Sequence, residues 1–285
     1  MANETWTVRR LLTWTEDFLR KKGFESARLE AQILLAHALG CKKIDLYVRH
    51  EEEPPEAKRA TFREMIKKRA EGMPVAYLVG HREFYSLDFA VTPAVLIPRP
   101  ETETLVMEAL RRLKPMASPR VLDVGTGSGA IAITIAKQHK GAHVTAVDLS
   151  GAALAIANGN AVAHGVADRL SFVEGDLFAP VAGRTFDMVV SNPPYIAHAE
   201  FPMLDAGVRD YEPRSALDGG VDGLNYYRRI AGEVSGFLLP GGTVLVEIGS
   251  TQEAAVREQF AAHLEPGQTY KDTAGRPRVV TARRK

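Results

Sequence analysis

The chain has 285 residues and carries 36 Lys plus Arg against 35 Asp plus Glu, a formal net charge of +1 that supplies no overall field to gather a polyanion. Its single cysteine, Cys41, cannot close an internal disulfide, so a reducing compartment and an incidental thiol are expected. The opening residues Met1-Ala2-Asn3-Glu4-Thr5-Trp6 lack the pattern of a secretory signal, and no apolar run approaches the ~20 residues of a membrane span, so the expectation is a soluble cytoplasmic protein of two domains with no membrane partner.

The first third reads as helices. Val8, Leu11, Leu12, Phe18 and Leu19 recur at helical spacing up to Gly23, and a second helix is predicted over Ala27–Leu39, ended by Gly40. A third follows Pro54-Pro55 and ends near Gly72. Its face is highly charged (Lys58, Arg59, Arg63, Glu64, Lys67, Lys68, Arg69), which is either a solvated surface or a patch that touches a partner. After Pro74 the chain turns aromatic and alternating (Phe84, Tyr85, Leu87, Phe89, Val91), which predicts a short hairpin. An extended stretch punctuated by Pro93, Pro98 and Pro100 leads into a helix carrying Leu105, Val106, Ala109, Leu110 and Leu113. Glu101 and Glu103 suit its positive end. The domain boundaries expected from this pass are residues 1–75, a hairpin and extended linker over 76–100, and a third segment over 101–285.

Beyond Pro119 strands alternate with helices. Strands are predicted at residues 120–124, 142–147, 170–173, 186–191 and 243–248, with two weaker ones near Thr269 and Val279. Helices are predicted at 130–137, 152–164, 225–237 and 252–260. This alternation predicts an α/β fold with a mostly parallel sheet covered on both faces.

The first of these strands runs into Gly125-Thr126-Gly127-Ser128-Gly129 and then a helix. Glycines let the backbone turn sharply and let a ligand approach it closely. The spacing is G-x-G-x-G, not the G-x-G-x-x-G that cradles a pyrophosphate, and it suits a loop packed against the amino-acid half of S-adenosylmethionine. Asp148 closes the second strand, where a carboxylate can accept from both ribose hydroxyls. Asp176 and Leu177 follow the third strand, where they border an adenine. Asp176 can accept from its amino group and Leu177 can pack on its ring. All of these lie at the carboxyl ends of successive strands, where open sheets bind ligands.

The fourth strand ends in Asn192-Pro193-Pro194-Tyr195. An NH2 group conjugated to a carbonyl or a ring is a poor nucleophile, because its lone pair is delocalised. The side-chain oxygen of Asn192 and the backbone carbonyl of Pro193 can accept its two N–H bonds and aim it at a methyl donor. The prolines fix the loop in advance, and Tyr195 offers a flat face to a planar group. Asn192 is also expected to touch the cofactor. Orientation and desolvation are the expected effects, not a strong general base. Chemistry alone leaves adenine, guanine and glutamine open as acceptors.

Further segments narrow that choice: Pro74-Val75-Ala76-Tyr77-Leu78-Val79-Gly80, Arg82-Glu83-Phe84-Tyr85, Leu96-Ile97-Pro98-Arg99-Pro100-Glu101-Thr102-Glu103, Tyr211-Glu212-Pro213-Arg214-Ser215-Ala216-Leu217 and Gly219-Gly220-Val221-Asp222-Gly223-Leu224. With the glycine loop and residues 192–195, they make the chain resemble the HemK-type release-factor glutamine methyltransferases over nearly its whole length. The resemblance implies a Rossmann-like seven-stranded class I methyltransferase domain and a small helical N-terminal domain that docks the release factor. It implies that the substrate is the glutamine of the Gly-Gly-Gln loop of class 1 peptide-chain release factors, and that the products are its N5-methyl amide and S-adenosylhomocysteine. Residues 125–129, Asp148, Asp176, Leu177 and Asn192 would bind cofactor, and residues 192–195 would hold the glutamine. An aromatic residue often stands beside the adenine in this family, and here the position is Leu177. Residues 99–103 are expected either near the methionine end of the cofactor or simply as a helix start.

The competing reading is an N6-adenine or N2-guanine nucleic-acid methyltransferase, which would use the same proline loop. A duplex enzyme must flip its base and usually carries a separate recognition domain, which this chain does not show, so no stable nucleic-acid binding is expected. A non-catalytic binding module is disfavoured by the intact glycine loop and Asn192. No metal is expected. His139 and His143 are four apart, but one ends a helix and the other starts a strand. A monomer is expected.

Overall fold

The computed structural model describes residues 5–285, so the reading of the N-terminus falls largely on residues 1–4, outside the described region. The chain forms two compact units.

The first unit runs up to Gly80 and includes the short helix Ala206–Tyr211. Its helices are Val8–Lys21, Ala27–Leu39, Asp45–Val48, Glu56–Ala70 and Val75–Val79. Thr7 caps the first, its hydroxyl oxygen accepting from the Arg10 N–H at 3.3 Å. Gly40 and Gly80 end two others in the left-handed conformation. Val8, Leu34, Leu35, Phe62 and Ile66 meet in one apolar core, with Cys41 half-buried at its edge. The tyrosine of the returning segment fastens it, since the Tyr211 hydroxyl donates to the Glu71 carbonyl at 3.0 Å. Much of the charge on Glu56–Ala70 serves this unit itself. Arg69 grips Glu30 with two bonds of 2.7 and 2.9 Å and stacks over Phe24, and Arg59 pairs with Glu53 and Glu56. Lys58, Lys67 and Lys68 stay exposed.

The second unit comprises His81–Asp205 and Glu212–Lys285. It begins with a hairpin of β1 (His81–Phe84) and β2 (Leu87–Ala90). Tyr85 and Ser86 both take positive φ, 51° and 59°, as a two-residue type I′ turn requires. The hairpin is not a linker. Phe84 and Phe89 are fully buried in the core of this unit beside Leu105, Val106 and Ala109, because alternation along each strand turns one aromatic inward. The expected boundary at residue 75 opens the helix Val75–Val79, and the compact unit continues to Gly80.

The main sheet has seven strands: β3 (Arg120–Val124), β4 (His143–Asp148), β5 (Leu170–Glu174), β6 (Phe186–Ser191), β7 (Leu238–Glu247), β8 (Glu265–Lys271) and β9 (Pro277–Arg283). Their order is β5-β4-β3-β6-β7-β9-β8. β3 to β7 run parallel, and β9 and β8 add antiparallel pairs at one edge. β7 starts earlier than its sequence suggests. The pair Gly241-Gly242 reads as a breaker, yet the strand continues through it with a register shift against β6.

Alternate side chains feed two apolar layers. Val121, Met188, Val190 and Leu245 pack on one face with helices Glu103–Leu113, Ala130–Gln138 and Gly151–Ala163. Leu122, Val189, Val244 and Val246 pack on the other with helices Asn225–Glu233 and Glu253–Ala261. Each such side chain, fully buried, contributes ~1.5–3 kcal/mol. The chain leaves β3 for β4 on one side and later returns to place β6 on the other. That reversal opens a crevice at the carboxyl ends of the central strands. Among the described residues, no helix is long and apolar enough to cross a membrane.

Candidate active site

A cavity of about 320 Å³ occupies this crevice. Its wall includes Gly125 and Gly127 after β3, Asp148 at the end of β4, Asp176 and Leu177 after β5, and Asn192, Pro193 and Pro194 after β6. Four strand ends that are distant in sequence therefore converge on one space.

The glycine loop is held by its neighbours. The N–H groups of Gly125 and Thr126 donate to the Val147 carbonyl at 2.8 and 3.0 Å, and that of Gly127 donates to Asp148 Oδ2 at 2.8 Å. Gly125 and Gly127 have φ of 75° and 56°, and a Cβ on either would stand in open space. Glycine is thus required there for its backbone conformation, and the bare backbone leaves room for a ligand against it. Gly129 does different work. A Cβ there would lie 2.7 Å from Ile133 and 3.2 Å from Ala157, so this glycine lets two helices approach each other. Thr126 and Ser128 are buried and absent from the cavity wall. The Thr126 hydroxyl donates to Asp123 Oδ2 at 2.7 Å, and the Ser128 carbonyl accepts from Asn160 at 2.9 Å. Burial pushes the Asp123 carboxyl up to about 7, against the Thr126 hydrogen bond that lowers it.

Asp148 accepts one bond on each carboxylate oxygen, from Gly127 and, at 2.9 Å, from the Ser150 N–H. Each oxygen keeps further acceptor capacity, which fits a pair of ribose hydroxyls. Asp176 is paired with Arg229 at 2.5 Å. Leu177 holds a positive φ of 49°, rare for a branched side chain, and it shares the wall with Tyr226. An aromatic ring is therefore present on this wall, carried by a helix distant in sequence from Leu177. The bare glycine backbone, the acceptor pair on Asp148 and the apolar wall fit S-adenosylmethionine.

The acceptor loop is braced from further away. Asn192 Nδ2 donates to Thr102 Oγ1 at 3.2 Å, and the Ser191 hydroxyl donates to the Val124 carbonyl at 2.7 Å. The Tyr195 carbonyl accepts from Gln252 Nε2 at 3.0 Å. Beneath it lie two glycines with no room for a side chain. A Cβ at Gly219 would stand 2.8 Å from the Tyr195 backbone, and one at Gly223 would stand 2.5 Å from the Tyr195 carbonyl oxygen. Tyr195 is not part of the cavity wall. Burial and then the field of Glu247 push its phenol up to about 12.

Residues 99–103 are spread over several tasks. Arg99 pairs with Glu212, whose other oxygen accepts from the Ile97 N–H at 3.1 Å. Thr102 meets Asn192, and Glu103 accepts from the Tyr85 N–H at 2.9 Å. Sequence reading gave no role to Glu247, Gln252, Tyr226, Ala94 and Val95, and named Thr102, Ser215 and Ala216 only within longer segments. One signal was available. Glu247 is the lone charge in the apolar run Val244-Leu245-Val246-Glu247-Ile248.

Residues 10–80 match the family model described as the PrmC N-terminal domain, and residues 102–205 match the methyltransferase small domain. A release factor glutamine methyltransferase of Rhodopirellula baltica is 46% identical over 98% of this chain and 97% of its own length. One from Moorella thermoacetica is 46% identical over 98% and 99%. The chain belongs to the release factor glutamine methyltransferase family. Its sheet unit is the S-adenosylmethionine-dependent methyltransferase domain of that family, and its helical unit carries the PrmC N-terminal domain. The crystal structure of a methyltransferase from Pyrococcus furiosus shares the fold, with a TM-score of 0.50 at 17% identity over 80% of this chain and 98% of that one.

Proposed function

We propose that the protein methylates the side-chain amide nitrogen (N5) of the glutamine in the Gly-Gly-Gln loop of class 1 peptide-chain release factors. One observation carries the reading. Asn192 and Pro193 share a cavity wall with Gly125, Gly127 and Asp148, and the Asn192 amide nitrogen is already engaged by Thr102, which leaves its oxygen to accept from a substrate N–H. Bound S-adenosylmethionine supplies a methyl group on a positively charged sulfur. Asn192 Oδ1 and the Pro193 carbonyl accept the two N–H bonds of the glutamine amide, so its nitrogen faces that methyl. The apolar wall of Pro193, Pro194, Leu177 and Val124 excludes water. As the N–C bond forms and the S–C bond breaks, the nitrogen gains positive charge and loses a proton to solvent. Holding a weak nucleophile in line is the main contribution, and well-oriented reactants can recover ~7–11 kcal/mol of barrier.

In this reading Gly125, Gly127, Asp148, Asp176 and Leu177 bind the cofactor, with Thr126, Ser128 and Gly129 shaping the loop from behind. The helical unit docks the release factor through exposed charge such as Lys58, Lys67 and Lys68. The enzyme acts in the cytoplasm as a monomer without stable nucleic-acid binding, consistent with its net charge of +1.

The test is to incubate the protein with labelled S-adenosylmethionine and a class 1 release factor, then map the methyl by peptide mass spectrometry. A single methyl on the Gly-Gly-Gln glutamine is expected. Label confined to nucleic acid in a mixed assay would sink the proposal and favour the adenine or guanine reading.

A further inference from the structure

Neither Pro193 nor Pro194 has a backbone N–H, so the middle of the acceptor loop offers no donor of its own. Its shape has to be set at its two ends. Upstream, the Ser191 hydroxyl donates to the Val124 carbonyl at 2.7 Å. Downstream, the carbonyl of Tyr195 accepts from Gln252 Nε2 at 3.0 Å.

Gln252 stands at the start of helix Glu253–Ala261, and its side chain makes no capping bond to that helix. It is half-buried and lies off the cavity wall. Its amide is nevertheless used in full. Nε2 donates to the carbonyl of Tyr195 and, at 3.2 Å, to that of Gly223, while Oε1 accepts from the Gly249 N–H at 2.9 Å. All three partners are backbone groups, which either only donate or only accept. The orientation of this amide is therefore decided. Reversed, it would set its oxygen against two carbonyls and its NH2 against an N–H. Two glycines clear the space around it. A Cβ on Gly223 would stand 2.7 Å from Nε2, and one on Gly249 would stand 2.8 Å from Oε1. Gly249 is not among the glycines of positive φ, so space and not backbone conformation calls for glycine there.

The two carbonyls that Gln252 joins belong to neighbouring stretches of one side of the cavity. The Ile196 N–H donates to the Leu217 carbonyl and the Ile196 carbonyl accepts from the Gly219 N–H, both at 2.9 Å. This bridge lies just beyond the wall residues Pro213, Ser215 and Ala216. Gln252 ties both stretches to the same helix start. Between the Pro193 carbonyl, which the reaction uses, and the Tyr195 carbonyl, which Gln252 holds, the ring of Pro194 locks one of the few torsions. A shift of the held carbonyl therefore passes to the working one.

We propose that Gln252 is a positioning residue: by holding the Tyr195 carbonyl it sets the Pro193 carbonyl where that group accepts from the substrate amide. The inference rests on the acceptor role assigned to Asn192 and Pro193 above.

The experiment compares Gln252→Glu, Gln252→Met and Asn192→Ala with the parent, each as the full chain. It measures kcat and KM for a class 1 release factor, cofactor Kd and Tm, with turnover assayed well below the lowest Tm. Gln252→Glu keeps size and shape, but an ionised carboxylate has no donor for the two carbonyls. Gln252→Met keeps the bulk and removes all three hydrogen bonds. Both are expected to lower kcat about 10- to 100-fold, with cofactor Kd and release-factor KM within about twofold of the parent. The inference is overturned if either variant keeps kcat within about twofold of the parent while Asn192→Ala abolishes turnover, since Gln252 would then be structural only. It is also overturned if cofactor Kd weakens as much as kcat falls, or if the losses of kcat follow losses of Tm. Full activity in Asn192→Ala would instead defeat the acceptor site itself, and the two failures are thereby told apart.

Discussion

The two loops that form the active-site cavity are built on the same plan with partners from different distances. Behind each stand a threonine and a buried acid. Behind the cofactor loop, Thr126 donates to Asp123 at 2.7 Å, only three residues away. Behind the acceptor loop, Thr102 Oγ1 accepts from Asn192 Nδ2 at 3.2 Å, and the buried Glu247 ends the neighbouring strand β7, so all three come from separate elements. Each acid leaves one oxygen without a partner, Asp123 Oδ1 and Glu247 Oε2. The cofactor loop is held mostly from nearby: its own strand, the adjacent β4 and its own threonine hold it, with Asn160 of the helix Gly151–Ala163 behind Ser128. The acceptor loop depends on Thr102, Gln252, Gly219 and Gly223, all brought to it by the fold. A local site tolerates change elsewhere, while a site assembled from afar can be disabled from several places.

Four outcomes would break or sharpen this contrast. The largest concerns the acceptor loop alone. Asn192→Ala should lower kcat by at least ~10²–10³-fold, about 3–4 kcal/mol, with cofactor affinity mostly kept in a binding titration. A large loss of cofactor affinity would show that the two loops are not separable.

Next is the pair of buried acids, which burial pushes up to about 7. Between the ordinary carboxylate range near 4 and about 7, the native state holds protons that the unfolded chain has released. Stability therefore falls as pH rises across that window, and the cost is complete above it. Glu247→Met removes the contribution of one acid. Denaturant unfolding should show the variant near the wild type at pH 5 and more stable at pH 8, by up to about 3 kcal/mol. Parallel pH curves for the two proteins would contradict the burial argument.

Third, Gly223→Ala should cost ~2 kcal/mol of stability and slow turnover by ~10-fold. The new Cβ would meet the Tyr195 carbonyl oxygen at 2.5 Å on a backbone whose φ is 74°. Its cofactor Kd should stay near the parent value, and a tenfold shift there would mean that the acceptor and cofactor loops move together. The smallest effect is on the other side. Asp148→Ala should weaken cofactor binding about 10- to 30-fold by calorimetry, ~1.5–2 kcal/mol, with kcat at saturating cofactor little changed.

Much of this organisation was legible beforehand. Strand alternation with helices, the G-x-G-x-G spacing and the acids at successive strand ends follow local periodicity and composition. Every one of the predicted strands from residue 120 onward appears within a few residues of its expected place, apart from the earlier start of β7. The hairpin was legible as a hairpin but not as part of a core, because burial of Phe84 and Phe89 depends on what covers them. The return of Ala206–Tyr211 to the helical unit had no local signal, since nothing in the six residues Ala-Gly-Val-Arg-Asp-Tyr says which core they join.

The site divides along the same line. Sequence by itself marked the residues of the proposed cofactor half: the turn needs glycine where φ is positive, and the partners of Asp148 are two residues downstream and one strand away. It also marked Asn192 and its prolines as the place where a planar NH2 would be held. Only the tertiary structure decided which glycine lines the cavity and which one packs, that Thr126 turns inward, that Tyr226 joins Leu177 on the wall, and that Tyr195 stays off it. It alone set Glu247 beside Asn192. The physical reason is register: parallel pairing of β6 with β7 is specified by the burial of whole strands, and the contacts it creates at their ends join residues that have no relation along the chain.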